Sequence, residues 1–159
     1  MLFRSMAQYQ GRMSGPLLDR IDLSIEVPAV TAADLILPPP SEGSASVALR
    51  VLRARNIQLK RYEGLGLHKI STNAAAPASV IDEVAKPDAA GMKLIKDAAD
   101  KMHLTARGYH RVLKVARTLA DLEGETNVGR IHLAEALAYR SVPLSLGLLC
   151  TVLDRKSVV

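Results

Sequence analysis

One strand-like stretch without a second is what most limits the folds open to this chain. Residues 21–27, IDLSIEV, alternate Ile21, Leu23, Ile25 and Val27 on one face with Asp22, Ser24 and Glu26 on the other. That period of two predicts a half-buried strand, and Pro28 closes it. A strand must pair its backbone groups with a neighbour, yet every periodic segment after it repeats at helical spacing. The pairing strands are therefore either absent from this chain or supplied by another copy. The fold class predicted is mainly α, with one orphan strand ahead of a helical bundle.

The helical segments can be placed from their caps and stripes. Residues 31–37 could make two turns behind Thr31, and 38–46, PPPSEGSAS, read as a linker. Residues 44–63 predict a helix with Ala48, Val51, Leu52, Arg55 and Leu59 along one side. It is basic, carrying Arg50, Arg53, Arg55, Lys60 and Arg61 before any acid. Residues 64–79 are irregular. Three helices then follow a short one at 77–85, which starts on Pro77. Residues 87–103 carry Met92, Ile95, Ala99 and Met102 as a stripe. Residues 105–124 give the clearest pattern: Thr105 as N-cap, then Tyr109, Val112, Leu113, Ala116, Leu119 and Ala120, with Gly124 as terminator. Residues 127–140 place Ile131, Ala134, Leu137 and Ala138 together. Short links between helices of this length predict a small bundle.

Composition narrows the chemistry. Aromatic residues make up 3% of the 159 residues, so the core is aliphatic and alanine-rich. The net charge of +5 permits a phosphate-bearing partner without requiring one. A single cysteine, Cys150, excludes an internal disulfide and a cysteine metal site, and suits a reducing compartment. The run at 141–153 is shorter than the roughly 20 residues of a membrane span and contains Pro143 and Gly147. The opening MLFRSMAQYQGR has no apolar stretch of the kind a secretory leader needs.

No enzyme site assembles from the residue types present. His68, His103, His110 and His132 show no metal-ligand spacing, and no Gly-rich phosphate loop of the G-x-x-x-x-G-K-[ST] type occurs. One constellation stands out. Arg107, Arg111, Lys114 and Thr118 recur at i, i+4, i+7 and i+11 on the helix at 105–124, opposite its apolar stripe. They read either as a solvated basic face or as contacts to an anion. Arg107 sits in the first turn, where a cation opposes the helix dipole, and that placement points to an anionic visitor.

The motifs SGPLLDRIDLSIEVPAV, LTARGYHRVLKVARTLADLEG and IHLAEALAYRS, in this order, resemble the later part of magnesium-chelatase-like AAA+ ATPases of the ComM/YifB type. The resemblance runs from residue 8 to 141. It implies an AAA+ helical lid at 77–141, connecting helices and loops at 31–76, and the end of an αβ ATPase core at 1–30. Residues 142–159 fall outside the family pattern as an atypical tail. Both Walker motifs are missing, so the chain alone is expected to bind neither ATP nor Mg²⁺ and to be inactive as an ATPase. Arg20 would be the arginine finger, reaching the nucleotide of a neighbouring subunit; the other reading is a structural ion pair with Asp19 or Asp22. Arg107 would be the sensor 2 residue on the phosphates of a bound nucleotide, with Arg111 and Lys114 as secondary contacts. The resemblance further implies ATP and Mg²⁺ as cofactors of the whole protein, a cytoplasmic homo-oligomeric ring, most simply a hexamer, and DNA processing linked to competence and recombination. A stand-alone basic helical module binding nucleic acid is the alternative, carried by the cations between Arg50 and Arg61.

Overall fold

The computed structural model describes residues 20–25, 27, 29–32, 36–38 and 42–140. Five α-helices follow in order: α1 (Ser44–Gly64), α2 (Ala78–Val84), α3 (Ala89–Met102), α4 (Ala106–Glu123) and α5 (Arg130–Ala138), with a 3₁₀ turn at Asn73–Ala75 before α2. The mainly helical class expected from the sequence holds. Among the described residues of the expected strand at 21–27 none pairs in a sheet, and Glu26 lies outside them. Of the short helix expected at 31–37, residues 33–35 lie outside the described residues, and the tail from 141 onward lies wholly outside them.

Helix α4 is the axis, and α1, α2, α5 and the 3₁₀ turn all pack on it. Its ends are fixed as the sequence foretells. Thr105 accepts a hydrogen bond from the Gly108 amide (3.0 Å), satisfying one of the donors that open a helix. Gly124 turns the chain out with φ of 80°, a conformation any Cβ would strain. Val112, Leu113, Ala116 and Ala120 are buried on the core side, as expected.

Three apolar faces differ from expectation, each for a local reason. In α1 the buried residues are Ala54, Gln58 and Tyr62, whereas Leu52 and Leu59 of the expected stripe are exposed. Tyr62 and Gln58 win because both bond Asn73 in the interior: the Tyr62 hydroxyl donates to its Oδ1, and Gln58 Oε1 accepts from its amide (3.3 Å). In α3 the buried residues are Gly91, Ile95 and Ala98; of the expected stripe Ile95 is buried and Met92 packs half-buried against the core, whereas Met102 is exposed. A Cβ on Gly91 would stand 2.7 Å from Leu133 Cδ1, so glycine sets the close approach of α3 to α5. In α5 the buried residues are His132, Leu133, Ala136 and Leu137, while Ile131 is exposed. Apolar residues lie all round this short helix, so periodicity does not choose a face; a cap does. His132 Nδ1 accepts from the Gly129 amide (3.0 Å) and its Nε2 meets Glu123 (3.0 Å), which turns that side inward.

Below the aliphatic core lies a polar one. Asp121 and Arg117, each 1% exposed, are paired one turn apart on α4. Arg117 also donates to the carbonyl of Thr126 (2.7 Å) and to that of Glu125, holding the α4–α5 loop. Arg61 of α1 forks onto both oxygens of Asp121. Asn73 Nδ2 donates to Asp121 (2.9 Å) and to Thr118 (3.0 Å), and Asn73 Oδ1 accepts from the Tyr62 hydroxyl (2.8 Å). Burial draws Arg117 below its ordinary value, with Asp121 pulling the other way. Burial acts likewise on Arg61, but its hydrogen bond and charge contact with Asp121 leave it above the ordinary value.

Two measurements check this account. Asp121→Asn leaves Arg117 buried without a full counter-charge, and urea unfolding should report a loss of about 3–5 kcal/mol. Burial pushes the Tyr62 hydroxyl above its ordinary value of 10.0, Arg61 opposing it and Asp121 adding to it. Its stabilising part is therefore complete below about pH 10 and is lost as pH climbs through the higher folded value. Tyr62→Phe should cost about 1 kcal/mol at neutral pH. The same variant should flatten the fall of the urea midpoint from about pH 10 upward.

Candidate functional site

The cationic stripe of α4 divides along its length. Arg107 is exposed in the first turn. One turn on, Arg111 is paired with Asp22, which comes from the segment ahead of the bundle. Another turn on, Lys114 Nζ donates to the Ala74 carbonyl (2.8 Å) and caps the 3₁₀ turn. Thr118 accepts from Asn73 and donates to the Lys114 carbonyl (2.8 Å). Of the four, Arg107 faces solvent; the remainder tie other elements to α4.

The environment of Arg107 is a positive helix end. The macrodipole of an 18-residue helix places about half a positive charge at its open amides. Thr105 takes up the Gly108 amide, one of the donors that a helix start leaves unpaired. Arg140, from the end of α5, lays its guanidinium against the same turn. A Cβ on Gly108 would sit 2.7 Å from Arg140 Nη2 and 3.1 Å from its Cζ. Glycine at this position is what lets the second guanidinium approach. Neither residue's part was legible in sequence; a small residue at the third helical position is the signal that could have drawn notice.

Arg20 is exposed and stands two residues before Asp22. Two contacts hold its segment on the bundle: Asp22 with Arg111, and the Ser24 amide donating to the Tyr139 carbonyl at 2.7 Å. Asp22 is thus engaged by α4, which removes it as the steady partner of Arg20; Asp19, the other acid considered, lies outside the described residues. Arg20 lies at most about 7 Å along the chain from Asp22, so its turn stays near the Arg111 level of α4.

A cleft of about 610 Å³ opens between α2, α3 and α4. Its inner wall is apolar, with Met92, Tyr109 and Leu113, and its mouth carries Asp82 and Glu83. His110 Nδ1 meets the Ala106 carbonyl (2.8 Å) and Nε2 meets Asp82 (3.2 Å), joining α4 to α2. The Tyr109 and His110 rings stand edge to face, 5.5 Å apart. Burial raises the Tyr109 hydroxyl, with the Asp82 charge adding to it. Nothing in this cleft pairs a nucleophile with a base. Among the described residues no group of three or more His, Cys, Asp or Glu is placed to hold a metal ion. No helix among them is long and apolar enough to cross a membrane.

Comparison with known proteins adds a lineage. Residues 41–140 match the family described as magnesium chelatase, subunit ChlI C-terminal, and residues 2–35 match magnesium chelatase, subunit ChlI. The chain is 39% identical over 140 residues to the competence protein ComM of Haemophilus influenzae, covering 87% of this chain and 26% of that protein. It is 35% identical over 144 residues to the uncharacterized protein YifB of Escherichia coli, covering 85% and 26%. An uncharacterized Mycobacterium tuberculosis protein is 36% identical over 138 residues, covering 84% and 26%. The chain spans about a quarter of the length of these curated relatives.

If the Arg111 pair anchors the Arg20 segment, Asp22→Asn should speed hydrogen exchange of the Ser24 amide about tenfold. Because half of the Asp22 side chain is exposed, global stability should change by less than about 1 kcal/mol.

Proposed function

The chain belongs to the magnesium chelatase ChlI C-terminal family, and from that premise we propose that it is the helical lid and arginine-finger part of a ring-forming AAA+ ATPase. The observation that carries the reading is the sorting of cations on α4. Three of its guanidinium and ammonium groups are bound to protein oxygens, and Arg107 is left facing solvent at the positive end of the helix. A cation at that pole opposes the dipole, and an anion seated there would relieve both charges. Phosphate is the anion that a family of nucleotide-driven machines would bring, and a guanidinium grips it with two parallel donors.

In this reading Arg107 is sensor 2 and binds a phosphate of the nucleotide held by the same subunit. Arg111 supports it from one turn below by fixing the segment that carries Arg20, and Lys114 braces the 3₁₀ turn. Arg20 is the arginine finger, offered to a nucleotide on the neighbouring subunit, where a permanently charged group stabilises negative charge on a phosphoryl undergoing transfer. ATP with Mg²⁺ would supply the phosphoryl chemistry when bound to the whole protein. The acids described here do not cluster to hold Mg²⁺, so its ligands are assigned elsewhere in such a protein. The ring, cytoplasmic and most simply hexameric, would spend that energy on DNA. The competence named for the Haemophilus relative agrees with this substrate.

A second reading rests on α1, whose exposed Arg53, Arg55 and Lys60 could track a nucleic-acid backbone. Against it, α1 exposes leucines among these cations rather than the aromatic rings on which bases stack.

The test uses the whole protein. Arg107→Ala should weaken nucleotide binding by about tenfold or more, the loss of one charge-assisted contact. Arg20→Ala should leave binding nearly unchanged while lowering the turnover number by about a thousandfold. Mixing Arg20→Ala subunits with subunits lacking a working phosphate loop should restore part of the turnover, because each defect then falls on a different side of one interface. Full turnover in the Arg20 variant would sink the finger assignment.

A further inference from the structure

Helix α5 runs back along α4 and is fastened at both ends. At its start His132 accepts from the Gly129 amide and meets Glu123 on the last turn of α4. Leu133, Ala136 and Leu137 are buried along its length. At its finish the Tyr139 amide donates to the Glu135 carbonyl (3.2 Å) and the Arg140 amide to that of Leu137 (3.1 Å). The Tyr139 hydroxyl donates to the Glu135 carboxylate (3.0 Å). These bonds close the last turn and fix how residues 139 and 140 are presented.

From that turn, contacts reach both segments that carry a cation of the candidate site. The Arg140 guanidinium lies over Gly108: a Cβ there would stand 2.7 Å from Nη2, 3.1 Å from Cζ and 3.4 Å from Nε. The flat group fills the space where a side chain would begin. Gly108 is buried and directly follows Arg107, so Arg107 projects from the turn that Arg140 covers. The neighbouring Tyr139 carbonyl accepts from the Ser24 amide at 2.7 Å. Arg20 lies at most about 14 Å along the chain from Ser24. The other tie of that segment joins the half-exposed Asp22 carboxylate to the long side chain of Arg111 and tolerates sliding. A backbone-to-backbone bond tolerates less.

We infer that Arg140 is a positioning residue: seated on Gly108, it holds the first turn of α4 in register with the last turn of α5, and through the Tyr139 carbonyl next to it sets the spacing of Arg20 and Arg107. The role rests on the reading of those two residues given above and adds a coupling to it. A phosphate drawn to Arg107 shifts the segment that offers Arg20 to the neighbouring subunit. Arg140 itself touches no nucleotide in this scheme.

Two variants break the contact from opposite sides: Arg140→Ala removes the guanidinium, and Gly108→Ala displaces it with a methyl group. In the 159-residue chain each should speed hydrogen exchange of the Ser24 amide about tenfold, although Gly108 lies on a different helix from the carbonyl that holds Ser24. The double variant should match the single ones rather than multiply their effects. Its helix start carries alanine in place of glycine, so it should melt no lower than Arg140→Ala. Arg140→Lys keeps the charge without the plane and should behave like Arg140→Ala. In the whole protein Arg140→Ala should raise the KM for ATP several-fold and lower the turnover number about tenfold, whereas Arg107→Ala acts on binding and Arg20→Ala on turnover.

Wild-type exchange at Ser24 in both single variants overturns the coupling, whatever Arg20→Ala and Arg107→Ala do to ATP turnover. Multiplied effects in the double variant overturn it as well, because the two residues then act apart. Unchanged ATP kinetics in Arg140→Ala, beside the expected losses in Arg20→Ala and Arg107→Ala, overturn the positioning role. If those two variants also keep wild-type kinetics, the nucleotide reading falls and this role falls with it, while faster Ser24 exchange still shows the link between the helices.

Discussion

Asp121 is a carboxylate taken almost wholly out of water, and the relation between α1, α4, the 3₁₀ turn and the α4–α5 loop is set by what it holds. Its two oxygens accept from Arg61, Arg117 and Asn73, so one side chain fixes three elements at once. The carboxylate is desolvated at a cost that only a full set of donors offsets. That requirement makes the arrangement selective. A rotation of α1 that buried its leucine stripe would withdraw Arg61 and Tyr62 together. Asn73 would then lose two of its partners, and Asp121 would keep a single cation. The polar core thus explains why a helix rich in leucine turns glutamine and tyrosine inward.

This constraint reaches the candidate site through the stiffness of α4. The lower half of the helix is gripped by the network, and the upper half carries the residues of the candidate site. Arg107 lies ten residues above Arg117, about 15 Å along the axis, and presents its charge from a helix that has little freedom to roll. Arg111 and Lys114 lie between and turn the same face into a set of struts, one to Asp22 and one to Ala74. A phosphate contact at the top of such a helix would be felt at both struts. The segment carrying Arg20 and the turn beside α1 would move with α4 or not at all.

The sequence disclosed the elements better than their faces. Thr105 and Gly124 bracket α4 because capping is local chemistry, settled within four residues. Helix α1, which has no side-chain cap, was legible over almost its full length from its uninterrupted run of helix-forming residues between the Gly43 and Gly64 ends. Faces are decided by partners far along the chain: that of α1 was misjudged, and those of α3 and α5 were read only in part, through Ile95 and Leu137. Arg117 and Asp121 look like an ordinary exposed pair one turn apart, since charged residues are seldom fully buried. Nothing within α4 tells that Arg61, sixty residues earlier, completes them. The α1 stripe was visible as a pattern, and the inference that it faces the core failed because a helix can carry two apolar sides. Of the site, Arg20, Arg107, Arg111 and Lys114 could be named from motif and spacing. That Asp22 would serve Arg111 rather than Arg20 could not, because Arg111 stands 89 residues away.

The start of α4 gathers charges that the fold itself does not want. Arg107 stands on the positive pole of the helix, where a cation costs a few tenths of a kcal/mol up to about 1 kcal/mol. Arg140 leans on the same turn, and Gly108 gives up the helix propensity of an alanine, roughly 1 kcal/mol, to let it approach. An uncharged residue at 107 and alanine at 108 would make a more stable helix start. Thr105 caps the turn nonetheless, so the helix is held together at the point where its charges push it apart. In the proposed reading this terminus receives an anion: the cap holds the helix start in place and the cations supply the attraction. The same logic separates Arg107 from Arg117, a cation of the same helix. Arg117 has its counter-charge and two carbonyls within the fold and completes the structure, whereas Arg107 is exposed and opposes its own helix, the placement that the proposed phosphate contact would use.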